Sequence, residues 1–242
     1  MAQGGGAGVS GPNVGEEKPA VGAEAAQERG ATGTTPRQGD AQAESPPLRT
    51  LPIISAGDPV LRNPAQPIAE SKLGSPDLLA LVELMIATMR AAPGVGLAAP
   101  QIGLPLRLIV LEDPEEAVGA LTEEARAARG RVPLPVTAIV NPVLRLIDGP
   151  RDTFFEGCLS VPGYSALVAR AREVEVTGLT PSGAPFAWRV SGWPARILQH
   201  ECDHLDGTLY VDRMISRSLC SGPNTGRWAG KSLEEIAEAL RL

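Results

Sequence analysis

The two histidines of this 242-residue chain, His200 and His204, both stand in the segment QHECDHLDG, and Glu201 follows the first of them directly. Residues at positions i and i+4 of a helix share one face, so both imidazoles can reach one metal ion. The neighbouring glutamate can accept a proton from a water that the ion holds. The spacing therefore predicts a helical metal site with a carboxylate base.

Two imidazoles do not complete such a site, because catalytic sites of this type use three protein ligands and leave one position for water. The chain offers Cys158, Cys202, Cys220 and downstream carboxylates. Cys202 lies two residues after His200, on the far side of the predicted helix, which favours a small buried side chain there. Cys158, in the turn EGCLS after the apolar TFF, can project into a cleft. Cys220, in a CSGPNTG loop, and a downstream carboxylate also stay open as the third ligand.

The segment GVGLAAPQIG, residues 94–103, offers accessible backbone rather than acid–base groups. Glycine and alanine leave N–H and C=O groups open to a close approach. Gln101 adds a neutral amide donor. By itself, the segment is equally compatible with a helix end followed by a strand.

In chain order, GVGLAAPQ, EGCLS and QHECDHLDG resemble the three signature motifs of the peptide deformylases, and GDPVLR at residues 57–62 resembles that family's N-terminal segment. The resemblance runs from about Pro52 to about Met214 and leaves out the region 113–135, which matches no motif. It implies hydrolysis of the N-formyl group from the formyl-methionine of nascent polypeptides, with release of formate.

The resemblance also implies a role for each motif residue. Glu201 would be the general acid and base, and Gln101 with the Leu159 N–H would form the oxyanion hole. The metal is ferrous iron in the family, with zinc or nickel as substitutes. Its ligands by this resemblance are Cys158, His200 and His204.

Other residues are predicted to bind the substrate. Val95 and Gly96 would pair with its backbone as an added strand, a reading based on the family. The predicted lining of the methionine pocket is Trp193, Arg196 and Ile197. Core packing would explain the positions of the two apolar members, Trp193 and Ile197, equally well.

Charged residues near the motifs have two readings. Glu156, which is also predicted to contact the substrate, could form a buried ion pair with Arg170 that braces the Cys158 turn. An ordinary surface pair is the other reading. Asp203 is predicted to face away from the metal and to orient an arginine.

Two other classes of protein share parts of this pattern. A peptidase with the same helical motif would take its third ligand from a downstream glutamate, for which Glu234 or Glu235 has the right type, and would not need Cys158. A structural metal site in a binding module would close with four ligands. Glu201 is predicted to point beside the ion instead, and a non-catalytic homologue would be expected to have lost Glu201 or Gln101.

Composition separates residues 1–50 from the rest. This segment holds ten glycines, nine alanines and no aromatic residue, so it cannot bury enough apolar area to offset the entropy of ordering. We predict a disordered tail over 1–50 and a catalytic domain over 51–242. No apolar run of a secretory signal follows the start, and six acidic against four basic residues argue against a transit peptide. A cytoplasmic location is therefore expected.

The net charge of −6, without a basic stripe, argues against direct binding of nucleic acid. No run approaches the ~18 apolar residues that a membrane span needs. An odd count of three cysteines favours a reduced compartment over a disulfide framework. The expected partners are formyl-methionyl peptides; the ribosome fits as a source of them, but no basic patch identifies a docking surface.

Hydrophobic periodicity predicts the elements that must position these motifs. SPDLLALVELMIATMRAAPG, residues 75–94, is a helix with Ser75 as N-cap, and GWPARILQHECDHLDG is a second helix that Gly207 ends. SLEEIAEALRL closes the chain as a third, with Ser232 and Glu235 spaced as a capping box.

Strands are predicted at 106–112 and 136–147, followed by a hairpin over 172–190 that turns at Pro181-Ser182-Gly183. Residues 113–135 are charged and alanine-rich, with TEEARAAR at helical spacing, which predicts a surface insertion. Strands that do not alternate strictly with helices favour an α+β fold. We expect antiparallel or mixed sheets around a central helix that carries the His-Glu-x-x-His motif.

Overall fold

The computed structural model describes residues 49–242, so the tail predicted over 1–50 lies outside the described residues except for its last two. Within this range the chain forms helices and two sheets, which confirms the α+β prediction. No helix of the described part is long and apolar enough to cross a membrane.

A five-stranded sheet has the order β1-β2-β3-β6-β7, and a three-stranded sheet has the order β4-β5-β8. All neighbouring strands in both sheets run antiparallel. The strands are β1 Gly96–Ala98, β2 Leu108–Asp113, β3 Leu134–Leu146, β4 Arg151–Cys158, β5 Val161–Ala171, β6 Glu173–Leu179, β7 Pro185–Ser191 and β8 Cys220–Ser221.

Three helices have eight residues or more among those described: α1, α4 and α7. Short 3₁₀ turns connect several of the elements. The α-helices are α1 Pro76–Ala91, α2 Glu115–Gly119, α3 Glu123–Arg129, α4 Trp193–Leu205, α5 Tyr210–Arg213, α6 Gly222–Thr225 and α7 Leu233–Leu240.

Helix α1 begins and ends where the sequence predicts. The Ser75 hydroxyl accepts a hydrogen bond from the Leu78 N–H at 3.3 Å, and proline occupies the first helical position. The apolar face of the helix is buried and packs with apolar residues of β2. The buried members of that face include Leu78, Val82, Met85 and Met89.

Helix α4 is the central element, because it contacts β1, β2, β3, β6 and β7 of the larger sheet and β5 of the smaller one. Its apolar residues Ala195, Leu198 and Leu205 are fully buried. Gly207 has a left-handed φ of 74°, and a Cβ there would lie 2.5 Å from the Arg62 carbonyl oxygen. Only glycine fits this stop, so the helix and its histidines have a fixed end.

The hairpin and the last helix also follow the predictions. Strands β6 and β7 pair in antiparallel register on either side of a turn in which Gly183 has a φ of 94°. Ser232 and Glu235 form the capping box at the start of α7.

Candidate metal and active site

Three soft or nitrogen donors meet at one point between α4 and the β4–β5 turn. One ligand atom from each of Cys158, His200 and His204 lies within 4.8 Å of the others. The Cys158 Sγ is 3.2 Å from the His204 Nε2. No second cluster of this kind occurs in residues 49–242. A thiolate with two imidazoles suits zinc or iron, and three converging ligands match a catalytic rather than a closed structural site.

The fold brings these donors together from two separate elements. His200 and His204 stand one helical turn apart on α4. Cys158 is the last residue of β4, and the register of β4 against β5 shifts between Gly157 and Cys158. Such an irregularity redirects a side chain, and here the thiol reaches the histidines.

The other candidates for the third ligand do not reach this point. Cys202 is buried in the apolar core, and that burial raises the pKa of its thiol to about 12. Cys220 lies beside the hydroxyls of Ser165 and Thr225 instead. Glu234, the third ligand of the peptidase alternative, is exposed in the first turn of α7 and is not part of the cluster. The geometry therefore argues against the peptidase alternative and favours Cys158 as the third ligand.

Glu201 lies beside the cluster in a nearly closed environment. Its side chain is buried, and this burial raises the pKa of the carboxyl to about 7. The buried Oε2 has no hydrogen-bond partner in the described part of the chain. A Cβ at Gly96 would stand 2.3 Å from the Glu201 Oε1, so glycine is needed at that position. The donor set and this unpaired oxygen together fit a divalent ion with a water.

The surroundings of the two imidazoles shift their pKa values in opposite directions. Burial and the neighbouring His200 hold the pKa of His204 well below its ordinary value, so His204 is neutral, the form that binds metals. Burial also acts to lower the pKa of His200, but hydrogen bonds with Cys158 and Glu156 outweigh it and raise that pKa. Binding of a metal at His200 therefore displaces a proton.

Glu156 connects a metal ligand to two buried arginines. Its carboxylate accepts hydrogen bonds from Arg170 at 3.0 and 2.9 Å, from Arg196 at 2.5 Å and from the His200 Nδ1 at 3.1 Å. Burial would raise the pKa of Glu156, but the bonds from His200 and Arg170 hold it well below its ordinary value. The predicted ion pair with Arg170 is confirmed and buried. A carboxylate at this nitrogen fixes the orientation of the ring.

Asp203 has the position that the sequence predicts, on the side of α4 away from the donors. It accepts hydrogen bonds from Arg170 at 2.5 Å and from Arg213 at 2.7 and 2.6 Å. Arg170 is therefore held between two carboxylates, which keeps a buried guanidinium fully paired.

Gln101 is buried next to the thiol. Its Nε2 donates to the Ser160 Oγ at 3.3 Å and lies 3.6 Å from the Cys158 Sγ, while its Oε1 accepts from the Ala98 N–H at 2.9 Å. The Ser160 N–H also donates to the Cys158 Sγ, at 3.4 Å. The amide is thus a fixed donor at the edge of the cluster.

A cavity of about 610 Å³ opens beside the donors and Glu201. All the residues predicted to bind substrate line it, although the polar ends of Glu156 and Arg196 are occupied by each other. Their contact with a substrate stays a prediction. The predicted residues in the lining are Val95, Gly96, Gln101, Glu156, Leu159, Trp193, Arg196 and Ile197.

Several residues of the site carry no role in the sequence prediction. Ser160 belongs to the motif EGCLS, and that motif is the signal that could have identified it. Tyr210 stacks on His200 with ring centroids 6.2 Å apart and donates its hydroxyl to the Tyr164 carbonyl at 3.1 Å. Thr225 lines the cavity from α6. No local pattern marks Tyr210 or Thr225, because their contacts arise only from tertiary packing.

Comparisons with known proteins agree with this geometry. A family model for polypeptide deformylase matches residues 50–219. Peptide deformylase 3 of Streptomyces avermitilis is 50% identical over 191 residues, which cover 78% of this chain and 83% of that protein. The mitochondrial peptide deformylase of Homo sapiens is 44% identical over 167 residues, which cover 69% of either chain.

Solved structures give the same result for the fold. The class I type b peptide deformylase from Acinetobacter baumannii with bound Met-Ala-Ser has a TM-score of 0.61 and 34% identity, covering 69% of this chain and 99% of that one. Sequence and fold lead to one conclusion: this chain belongs to the peptide deformylase family.

Proposed function

We propose that this chain removes the N-formyl group from the N-terminal formyl-methionine of nascent polypeptides and releases formate. The observation that carries the proposal is the convergence of Cys158 with His200 and His204 beside Glu201, at the wall of a substrate-sized cavity. The family match and the relatives named above support the same reaction. The relative from Acinetobacter baumannii was solved with Met-Ala-Ser, the peptide that deformylation of formyl-Met-Ala-Ser would leave.

The metal would be held by Cys158, His200 and His204. A divalent ion in this position lowers the pKa of a coordinated water and so makes hydroxide available near neutral pH. Glu201, whose pKa is near 7, accepts the proton of the attacking water and then donates it to the leaving amine of methionine. The bond between the formyl carbon and that nitrogen breaks, and the products are formate and a free N-terminal methionine.

Negative charge develops on the formyl oxygen when water adds to the carbon. We assign its stabilisation to the Gln101 side-chain amide and the Leu159 N–H, both at the cavity wall. The Gln101 amide is well suited to this role, because the Ala98 N–H fixes its oxygen and leaves the nitrogen on the side of the cluster. A donor of this type contributes roughly 3–4 kcal/mol to stabilising a transition state.

The substrate itself would occupy the cavity. Val95 directly precedes β1, and Gly96 is the first residue of that strand. We propose that the substrate backbone pairs with these two residues and so adds a strand to the sheet. The methionine side chain would lie against Trp193 and Ile197, with Arg196 beside them. Mostly apolar surface in this cavity suits an unbranched thioether.

We propose ferrous iron as the ion, with zinc or nickel as substitutes. A single thiolate with two imidazoles accommodates each of these ions, so the donor set supports a metal without selecting one. Reconstitution of the same preparation with each ion, under argon and in air, decides the point. The proposal expects the iron form to be the most active and the one that air inactivates.

A cytoplasmic location and contact with the ribosome also remain proposals. All three cysteines are free thiols, which supports a reducing compartment. We likewise propose residues 51–242 as the catalytic domain, with 1–50 as a segment that the reaction does not need.

The decisive experiment measures formate released from formyl-Met-Ala-Ser by anaerobically prepared iron protein. Stoichiometric metal and formate release that depends on Glu201 would support the proposal. The matched test for a peptidase uses Met-Ala-Ser without its formyl group and longer unformylated peptides. Cleavage of those peptides, with no formate from the formylated one, would refute deformylation.

A further inference from the structure

The connection between β2 and β3 matches none of the family motifs, yet its last turn contacts the start of the metal-bearing helix. Gly130 follows α3 and has a left-handed φ of 57°. Its carbonyl oxygen accepts a hydrogen bond from the backbone N–H of Trp193 at 3.4 Å. A Cβ at Gly192, where φ is 68°, would stand only 2.9 Å from that same oxygen. The two backbones therefore approach closely where α4 begins.

Arginines on both sides of Gly130 lie over aromatic rings of the catalytic domain. The guanidinium carbon of Arg129 is 5.3 Å from the centroid of Trp193 and 5.3 Å from that of Phe154. The Arg131 guanidinium is also 5.3 Å from the Trp193 centroid. Distances below about 6 Å are those of cation–π attraction, which grows stronger when the cation is removed from water.

The two charges are compensated in different ways. Arg131 donates two hydrogen bonds, at 2.7 and 2.8 Å, to Asp113, a fully buried carboxylate at the end of β2. Arg129 has no carboxylate partner within the described residues, so the rings of Phe154 and Trp193 are the groups that face its charge. Burial, with Arg131 nearby, lowers the pKa of Arg129 below its ordinary value.

The arginines matter for Trp193 because the buried indole Nε1 of that ring makes no hydrogen bond within the described residues. A hydrogen bond therefore does not set the orientation of this ring, which depends on packing against the core and on the two arginines. The ring is the first side chain of α4 and lines the same cavity as Cys158, His200 and Glu201.

We propose that Arg129 is a positioning residue that holds the Trp193 ring in the wall of the substrate cavity. The insertion over 113–135 thereby shapes the pocket that selects the first side chain of the substrate. This inference rests on the proposed function, because it concerns recognition of formyl-methionine. It assigns to the insertion a role in specificity that none of the motifs carries.

The test compares Arg129→Ala with Arg126→Ala, which removes the same charge one turn earlier on α3. Among the described residues, the Arg126 guanidinium lies over no aromatic ring. We expect Arg129→Ala to raise KM for formyl-Met-Ala-Ser about fivefold with kcat within about twofold, an effect of ~1 kcal/mol. The preference over formyl-Ala-Ala-Ser should fall, and Arg129→Lys should recover part of the loss.

A second readout follows the ring directly. In a protein with Trp188→Phe and Trp228→Phe, fluorescence reports Trp193 alone, and Arg129→Ala should make it more accessible to acrylamide. Arg129→Gln, which keeps part of the stem, provides the same comparison if the alanine variant does not fold. An unchanged KM and unchanged quenching, or equal changes in Arg126→Ala, would overturn the inference. Absence of formate from the wild-type protein would instead refute the proposed function, while the quenching result would still stand.

Discussion

The two regions that meet at Trp193 hold their charged groups in opposite ways. At the Cys158 turn and α4, the buried charges other than Glu201 form a network with several partners each, as Glu156 does with Arg170, Arg196 and His200. In the insertion, one buried carboxylate pairs with Arg131, and Arg129 relies on aromatic faces. The first arrangement fixes the positions of the groups around the donors. The second packs the largely exposed helix α3 against Trp193 in the cavity wall.

The difference has an energetic consequence. Removal of one partner from a buried charge network leaves an uncompensated charge and costs roughly 3–5 kcal/mol. Loss of a cation–π contact costs about 0.5–2 kcal/mol. We therefore expect loss of Cys158 or Glu201 to abolish metal binding or catalysis. Changes in the insertion should alter recognition and stability while the metal stays bound.

The largest effect is expected at the thiol of the cluster. Cys158→Ala removes one of three ligands and should abolish stoichiometric metal binding together with activity. Cys202→Ala, the matched control, truncates a thiol in the apolar core and should keep the metal at a small cost in stability. Elemental analysis of both dialysed proteins measures the result. A full metal equivalent in the Cys158 variant would contradict the ligand set.

The next effect concerns catalysis with the metal retained. Glu201→Gln preserves the volume beside Gly96 but cannot accept the proton of the water. General acid–base catalysis typically contributes a factor of about 10²–10⁴ in rate, so the rate of formate release should fall by about 10²-fold or more. The same carboxylate serves both the attack and the departure of the amine, which favours the upper end. More than about a tenth of the wild-type rate would contradict the assigned role of Glu201.

A smaller effect is expected at Glu156, which is hydrogen-bonded to the proposed metal ligand His200. Glu156→Gln weakens the acceptor that orients His200 and leaves Arg196 less compensated, so metal affinity should fall by about 10–100-fold. Glu173→Gln is the control, because it makes the same chemical change in an exposed pair with Arg189. Competition with a chelator measures both. Equal affinities would show that Glu156 does not position the ring.

The sequence predicts the parts of this site whose spacing is local. His200, Glu201 and His204 share one turn of helix, so periodicity alone places both imidazoles on one face. Helix α1 is equally local, because serine, proline and an apolar stripe define its start and its buried face. The register of two strands, in contrast, directs Cys158 to the histidines, and spacing along the chain left Cys220 open as well.

Contacts between distant residues explain what the sequence does not predict. Arg196 is predicted to line the methionine pocket; it lines the cavity beside the donors, but its guanidinium turns to Glu156 on another element. Arg129 lies in a segment that reads as a solvated, charged helix, and its stacking on Trp193 depends on how the β2–β3 connection folds back. Neither orientation follows from hydrophobic period or from a motif.

The smallest effect should come from the ion pair that anchors the insertion. Asp113→Asn removes the charge that Arg131 contacts with two hydrogen bonds at a buried carboxylate. Because Arg131 remains partly exposed and water can compensate it, we expect a loss of only ~1–3 kcal/mol in unfolding free energy. In a domain of this size, that corresponds to a fall of roughly 3–10 °C in melting temperature.

The control for this change is Glu175→Gln, which removes a carboxylate from an exposed pair with Arg145 and should stay within about 0.5 kcal/mol of wild type. Calorimetry and metal analysis of both variants complete the comparison of the two regions. The metal content of Asp113→Asn should remain stoichiometric, because within residues 49–242 no hydrogen bond of Cys158, His200, His204 or Glu156 involves the insertion. If this variant loses metal as Cys158→Ala does, the insertion and the metal site form one cooperative unit, and the distinction between them fails.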